Sequence, residues 1–122
     1  MNTRKILVIS SDKDLTGIIK ISALTLTKLN CQVSIEEVSD FENAVRNSSA
    51  VNLDLIITDN DLSDIDLLKL LAEIRKNRGS KNKKIICLYS GTVNREDIFK
   101  AGCDSIMSKE EFKRVVNNIL VI

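Results

Sequence analysis

The residues able to do chemistry in this sequence stand at the ends of its apolar runs. Ser10, Ser11 and Asp12 follow ILVI at 6–9, and Asp59, Asn60 and Asp61 follow LDLIIT at 53–58. Tyr89 closes IICLY at 85–89 and leads to Ser90 and Gly91, while Ser108 and Lys109 follow SIM at 105–107. A carboxylate such as Asp59 is a nucleophile or a ligand for a hard cation, and an ammonium such as Lys109 is its counter-charge. Other chemistries are excluded by composition. The chain has no His, which removes His-based triads, His metal ligands and phosphohistidine. Its three cysteines, Cys31, Cys87 and Cys103, are odd in number and lack CxxC spacing, so neither a disulfide framework nor a zinc site is expected. Cys87, inside IICL, reads as a small buried hydrophobe.

These residues must be positioned by the elements between them. The runs at 6–9, 53–58 and 85–89 are branched-aliphatic and near-continuous, the pattern of strands buried on both faces of a parallel sheet. SIM and the alternating Val33, Ile35 and Val38 read as two more strands. Between them the spacing predicts five helices. Asp14–Leu29 carries Leu15, Ile18, Ile19, Ser22, Ala23 and Leu26 at helical period. Ser39 to Glu42 has capping-box spacing ahead of Phe41, Ala44 and Val45. Leu67, Leu68, Leu70, Leu71 and Ile74 define the third helix. The fourth, Asn94 to Ala101, has Asn94 as cap with Ile98 and Phe99 apolar. The fifth, Glu110 to Leu120, turns Phe112, Val115, Val116 and Ile119 inward. Asp12 and Asp14 start the first helix, and N-capping is the structural role open to Ser10 and Ser11. Strand and helix alternate five times, so the expected fold is α/β: a doubly wound, five-stranded parallel sheet with five helices, whose function lies at the carboxyl ends of the strands.

At 122 residues the chain is read as one domain, 1–122, with no linker, repeat or effector domain. Lys plus Arg number 18 against 17 Asp plus Glu, so a net charge of +1 calls for neither nucleic acid nor an anionic membrane as partner. No run approaches the length of a membrane span or signal peptide, and a cytoplasmic protein is expected. Six cations crowd between the third helix and the fourth strand: Arg75, Lys76, Arg78, Lys81, Lys83 and Lys84. They read as a solvated loop, with an acidic partner as the alternative. Ile21 and Leu24 lie off the core face of the first helix and suit a partner or dimer surface.

The whole chain resembles the receiver domain of bacterial two-component response regulators, chemotaxis-regulator type. KILVIS at 5–10 is similar to the family's first strand, and DLIITDNDLSDIDLLKLLAEIR at 54–75 resembles its most recognisable segment. There Asp59 falls on the phosphoacceptor position. AGCDSIMSKE at 101–110 resembles the approach to the family's lysine, here Lys109. The resemblance implies a flavodoxin-like fold with strand order 2-1-3-4-5. It also implies a signalling role in a phosphorelay rather than an enzyme's, Mg²⁺ as cofactor, and a histidine kinase or other signalling protein as partner.

The site departs from the family pattern. The acidic pair after the first strand is replaced by Ser10 and Ser11, with Asp12 one place late. The switch Ser/Thr becomes Tyr89, followed by Ser90; the aromatic of the last strand becomes Ile106, and the proline after the lysine becomes Glu110. Ser63 and Leu67 replace the usual proline and glycine of the loop after Asp59, and the stretch from Ser90 to Gly102 is about two residues short for the family. Mg²⁺ wants one or two carboxylates, and neutral hydroxyls hold it weakly against its hydration shell. Asp59 is the first ligand, and Asp12 or Asp61 are candidates for a compensating one. The expectations are weak or absent Mg²⁺, a Lys109 ammonium within salt-bridge reach of Asp59, and a trans peptide between Lys109 and Glu110. Ser90 is the remaining hydroxyl able to pair with the acid or phosphoryl group, while Tyr89 and Ile106 lack the usual means of switching. The reading is an atypical receiver that signals by protein–protein contact; the alternative is a conventional receiver phosphorylated on Asp59. A flavodoxin-type cofactor binder shares the topology but needs a phosphate-cradling loop and flavin-flanking aromatics, which SSDKD and four aromatic residues do not supply.

Overall fold

Near-continuous aliphatic runs bury both faces of each central strand, and this determines the layering. In the computed structural model, which describes residues 2–121, five strands form one parallel sheet. They are β1 (Asn2–Ile9), β2 (Cys31–Val38), β3 (Leu55–Asp59), β4 (Lys84–Tyr89) and β5 (Ser105–Ser108), in the order β2-β1-β3-β4-β5. The helices α1 (Lys13–Lys28), α2 (Phe41–Ser48), α3 (Leu67–Lys76), α4 (Arg95–Ala101) and α5 (Lys109–Ile119) fill the crossovers. Alternate residues of each strand face opposite layers. Ile6, Val8, Leu55, Ile57, Ile86 and Leu88 pack with α1 and α5. Leu7, Ile9, Ile56, Ile85 and Cys87 pack with α2, α3 and α4. This is the expected doubly wound fold, and none of its described helices is long and apolar enough to cross a membrane.

Several local expectations need correction. The α2 cap is Asp40, whose carboxylate accepts from the Asn43 N–H; Ser39 and Glu42 do not form the capping box. Aspartate wins because it brings a full negative charge to the helix N-terminus. Phe99, expected on the apolar side of α4, is exposed, as is Leu68 on α3; Leu67, Leu70, Leu71, Ile74 and Ile98 fill the layer. On α5, Phe112 and Val116 are buried whereas Val115 and Ile119 are only partly so. Helix α5 begins at Lys109 itself, capped by Ser108, which accepts from the Glu111 N–H.

The basic segment is not merely a solvated loop. Arg75 donates to the carbonyls of Gly102 (2.8 Å), Lys81 (3.0 Å) and Lys83 (2.6 Å) and pairs with Asp104 at 2.9 Å. Asp104 in turn accepts from the Ile85 N–H. Lys83 Nζ donates to the Leu53 carbonyl at 2.7 Å. One guanidinium therefore ties the end of α3 to the starts of β4 and β5. Gly102 makes room for it: its φ is +124°, and an added Cβ would lie 2.5 Å from Arg75 Cγ. Arg75→Met is expected to lower unfolding free energy by roughly 2–3 kcal/mol, because several carbonyls lose a charged donor. Urea denaturation checks this, and Lys76→Met, on the exposed side of the same helix end, should change stability by less than about 0.5 kcal/mol.

Candidate functional site

The parallel register brings the expected residues to one rim. Ile9 is level with Thr58, Asp59 with Leu88, and Tyr89 with Ser108. The residues that follow β1, β3, β4 and β5 are therefore neighbours whatever their separation in sequence.

Asp59 ends a wholly buried strand and is 5% exposed. Its Oδ2 accepts from the Ser10 hydroxyl at 2.6 Å, and its Oδ1 accepts from the Asp61 N–H at 2.8 Å. The second contact is an Asx turn that starts the β3–α3 loop. Ser10 is buried, donates to Asp59, and accepts from the Asp12 N–H at 3.0 Å. It does not cap α1. The cap is Asp12, whose Oδ1 accepts from the Leu15 N–H at 3.2 Å, and Ser11 is exposed. A hydroxyl suits the Ser10 position because it donates to a carboxylate, where an acid would repel it.

Lys109 closes the site. Its Nζ lies 3.0 Å from Asp59 Oδ1, 3.0 Å from Asp12 Oδ2 and 2.9 Å from Asp61 Oδ2. The expected reach to Asp59 is met, and two further carboxylates share the cation. Three donors on an ammonium face three acceptors, so the group is saturated. Burial alone would depress the ammonium pKa, but hydrogen bonds to Asp61, Asp12 and Asp59 outweigh it and hold the pKa above its ordinary value. The carboxyl of Asp12 titrates below its ordinary value, through the Lys109 hydrogen bond first and the Leu15 N–H next. Asp61 does too: burial raises it, but donation from Lys109 and Ser90 prevails. No cis peptide occurs among the described residues, and the Lys109–Glu110 bond is trans.

Ser90 and Tyr89 lie beside this cluster. The Ser90 N–H donates to Asp61 Oδ1 at 3.3 Å, so Ser90 meets the acid cluster through Asp61 rather than through Asp59. The half-buried Tyr89 is held by a residue the sequence did not single out. Arg95 donates to its hydroxyl at 2.6 Å, and its guanidinium carbon lies 5.5 Å from the ring centroid. No spacing in the sequence signals this pair. Ile106 faces the α2–α4 layer, partly buried against it.

The residues do not form a ready magnesium site. Asp12, Asp59 and Asp61 are all turned onto Lys109, and no group of three acidic or Cys side chains among the described residues is arranged to hold a metal ion. Asp12, one of the expected ligands, caps α1 and pairs with Lys109, and Asp59, the other, is engaged by Ser10, Asp61 and Lys109.

No protein-family model and no curated protein matches this sequence. Solved structures do. A response regulator from Hahella chejuensis is 20% identical, with a TM-score of 0.79 over 97% of this chain and 92% of that one. The receiver domain of the sensor histidine kinase PA1611 from Pseudomonas aeruginosa, solved with magnesium in its active-site cleft, is 21% identical, with a TM-score of 0.74 over 98% and 99%. The chemotaxis response regulator CheY4 of Vibrio cholerae is 14% identical, with a TM-score of 0.75 over 98% and 100%. The chain therefore has the fold of a response regulator receiver domain.

The site sets a pH profile. Asp12 and Asp61, with depressed native pKa values, add stability that is complete above the ordinary carboxyl value of 3.8 and is lost as pH falls through their lower native values. Lys109, with a raised native pKa, adds stability that is complete below its ordinary 10.5 and is lost as pH rises through the native value. The urea midpoint is expected to keep the contribution of these groups between those limits and to lose it outside them. Lys109→Met, which leaves three carboxylates without their cation, should cost about 3–5 kcal/mol at neutral pH. Its loss should shrink as pH falls toward the carboxyl range, since protonation then relieves the repulsion.

Proposed function

We propose that the protein is a receiver-type signalling module of a two-component system that works through protein–protein contact, without phosphoryl transfer to Asp59 and without a tightly bound Mg²⁺. The observation that carries this reading is the saturation of one ammonium by Asp12, Asp59 and Asp61. An aspartyl nucleophile attacks phosphorus only where added charge offsets that of the incoming phosphoryl oxygens. Here the counter-charge is one ammonium already divided among three carboxylates, and Ser10 and Ser11 add none. The positions that would relay a phosphorylation signal are Tyr89, bulky and pinned by Arg95, and Ile106, which has no ring to turn. A ligand shifts an equilibrium only where a second state exists for it to prefer. The partner is a histidine kinase or another signalling protein, and the module is not itself an enzyme.

The test uses acetyl phosphate or beryllofluoride with Mg²⁺. No phosphoryl mass increment and no amide shifts across residues 90–112 are expected. A phosphoryl adduct, or shifts across that segment that vanish in Asp59→Ala, would return the protein to the conventional class in which Asp59 accepts a phosphoryl group from a histidine kinase.

A further inference from the structure

We propose that the Lys109 ammonium is the resident cation of this rim, occupying the point where three carboxylates converge, and that its presence there excludes a divalent metal. This deepens the metal-independent reading of the site and rests on it. Asp12 Oδ2, Asp59 Oδ1 and Asp61 Oδ2 lie at 3.0, 3.0 and 2.9 Å from one nitrogen. They come from the β1–α1 turn, the end of β3 and the β3–α3 loop, which is how a hard-cation cage is assembled from separate loops. The distances suit an ammonium; Ca²⁺ would draw the oxygens in to about 2.3–2.6 Å and Mg²⁺ to about 2.0–2.1 Å.

Two further observations place the cation role on the lysine. Lys109 is the first residue of α5, where a positive charge opposes the helix dipole. Its side chain is only 10% exposed, so the ammonium has given up most of its water. Neither is tolerable without strong anionic partners, and the three carboxylates supply them. Exclusion of metal is also not a matter of access. An open cavity of about 500 Å³, whose lining includes Asp12, Ser90, Lys109, Glu110 and Lys113, leads to Lys109. A dissolved cation reaches the site and finds its ligands engaged and a positive charge at their centre.

Removing the ammonium should then uncover a metal site. Mn²⁺ takes the same oxygen ligands as Mg²⁺ and is read through its effect on water-proton relaxation. Wild type is expected to show no saturable binding at low-millimolar Mn²⁺. Lys109→Met should bind roughly tenfold or more tightly, and the double variant Lys109→Met, Asp61→Asn should lose that gain. Because Lys109→Met is destabilised, its melting temperature gives a second readout: Mn²⁺ should raise it and leave the wild-type value unchanged. The proposal is overturned if wild type binds Mn²⁺ as tightly as Lys109→Met, or if that variant gains neither binding nor thermal stability. Phosphoryl uptake by wild type would sink the functional reading by itself, whatever the lysine variant does with Mn²⁺.

Discussion

One ammonium shared by three carboxylates is the interaction on which the rim depends. Lys109 is carried there by the β5–α5 junction, Asp59 by the end of β3, Asp61 by the loop after it, and Asp12 by the cap of α1. An ammonium so buried is stable only if its protons are all taken, and three carboxylates so close are stable only around a cation. Each requirement is met by the other. The remaining carboxylate oxygens are satisfied locally, by the Leu15 and Ser90 N–H groups and the Ser10 hydroxyl, and Asp59 Oδ1 also accepts from the Asp61 N–H. Those contacts spread the two negative charges left in excess and hold three loops in one arrangement.

The same solution recurs at the opposite end of the strands. There Arg75 serves the carbonyls of Gly102, Lys81 and Lys83 together with the Asp104 carboxylate, while Asp104 also receives the Ile85 N–H. Both ends of the β4–β5 edge are thus fixed by one cation with several oxygen partners. A planar guanidinium suits scattered carbonyls, and a compact ammonium suits three carboxylates converging from different directions. The charged residues that matter here do not form a surface field. They act as short-range ties where chain segments without ladder partners meet.

Among proteins of this fold, the PA1611 receiver domain is described with magnesium in its active-site cleft. In the present chain the side chains at the carboxyl ends of the strands engage one another. Ser10 donates to Asp59 where an acid would compete with it, and Asp61 reaches Lys109 with its side chain as well as binding Asp59 through its backbone. Tyr89 accepts from Arg95, and Ile106 packs against the α2–α4 layer. A shared fold does not by itself fix the chemistry of its cleft.

The sequence by itself determined the layered fold, because branched-aliphatic runs separated by helix-period segments leave few ways to bury both faces of a parallel sheet. It also determined that Asp59, Ser10, Ser90 and Lys109 would share a rim, since strands running parallel end on the same side. Asn94 was legible as a cap for the same local reason, and the exposure of Ile21 and Leu24 followed from helical period. The tertiary structure alone decided how the charges are divided. That Asp12 rather than Ser10 caps α1, that Asp61 turns toward Lys109, and that Arg95 takes the Tyr89 hydroxyl all depend on contacts between loops. Periodicity carries no information about these, because a loop side chain has several nearby partners of similar strength. Which one it takes depends on distances of a few tenths of an ångström, which are set only once the packed strands have brought the loops together.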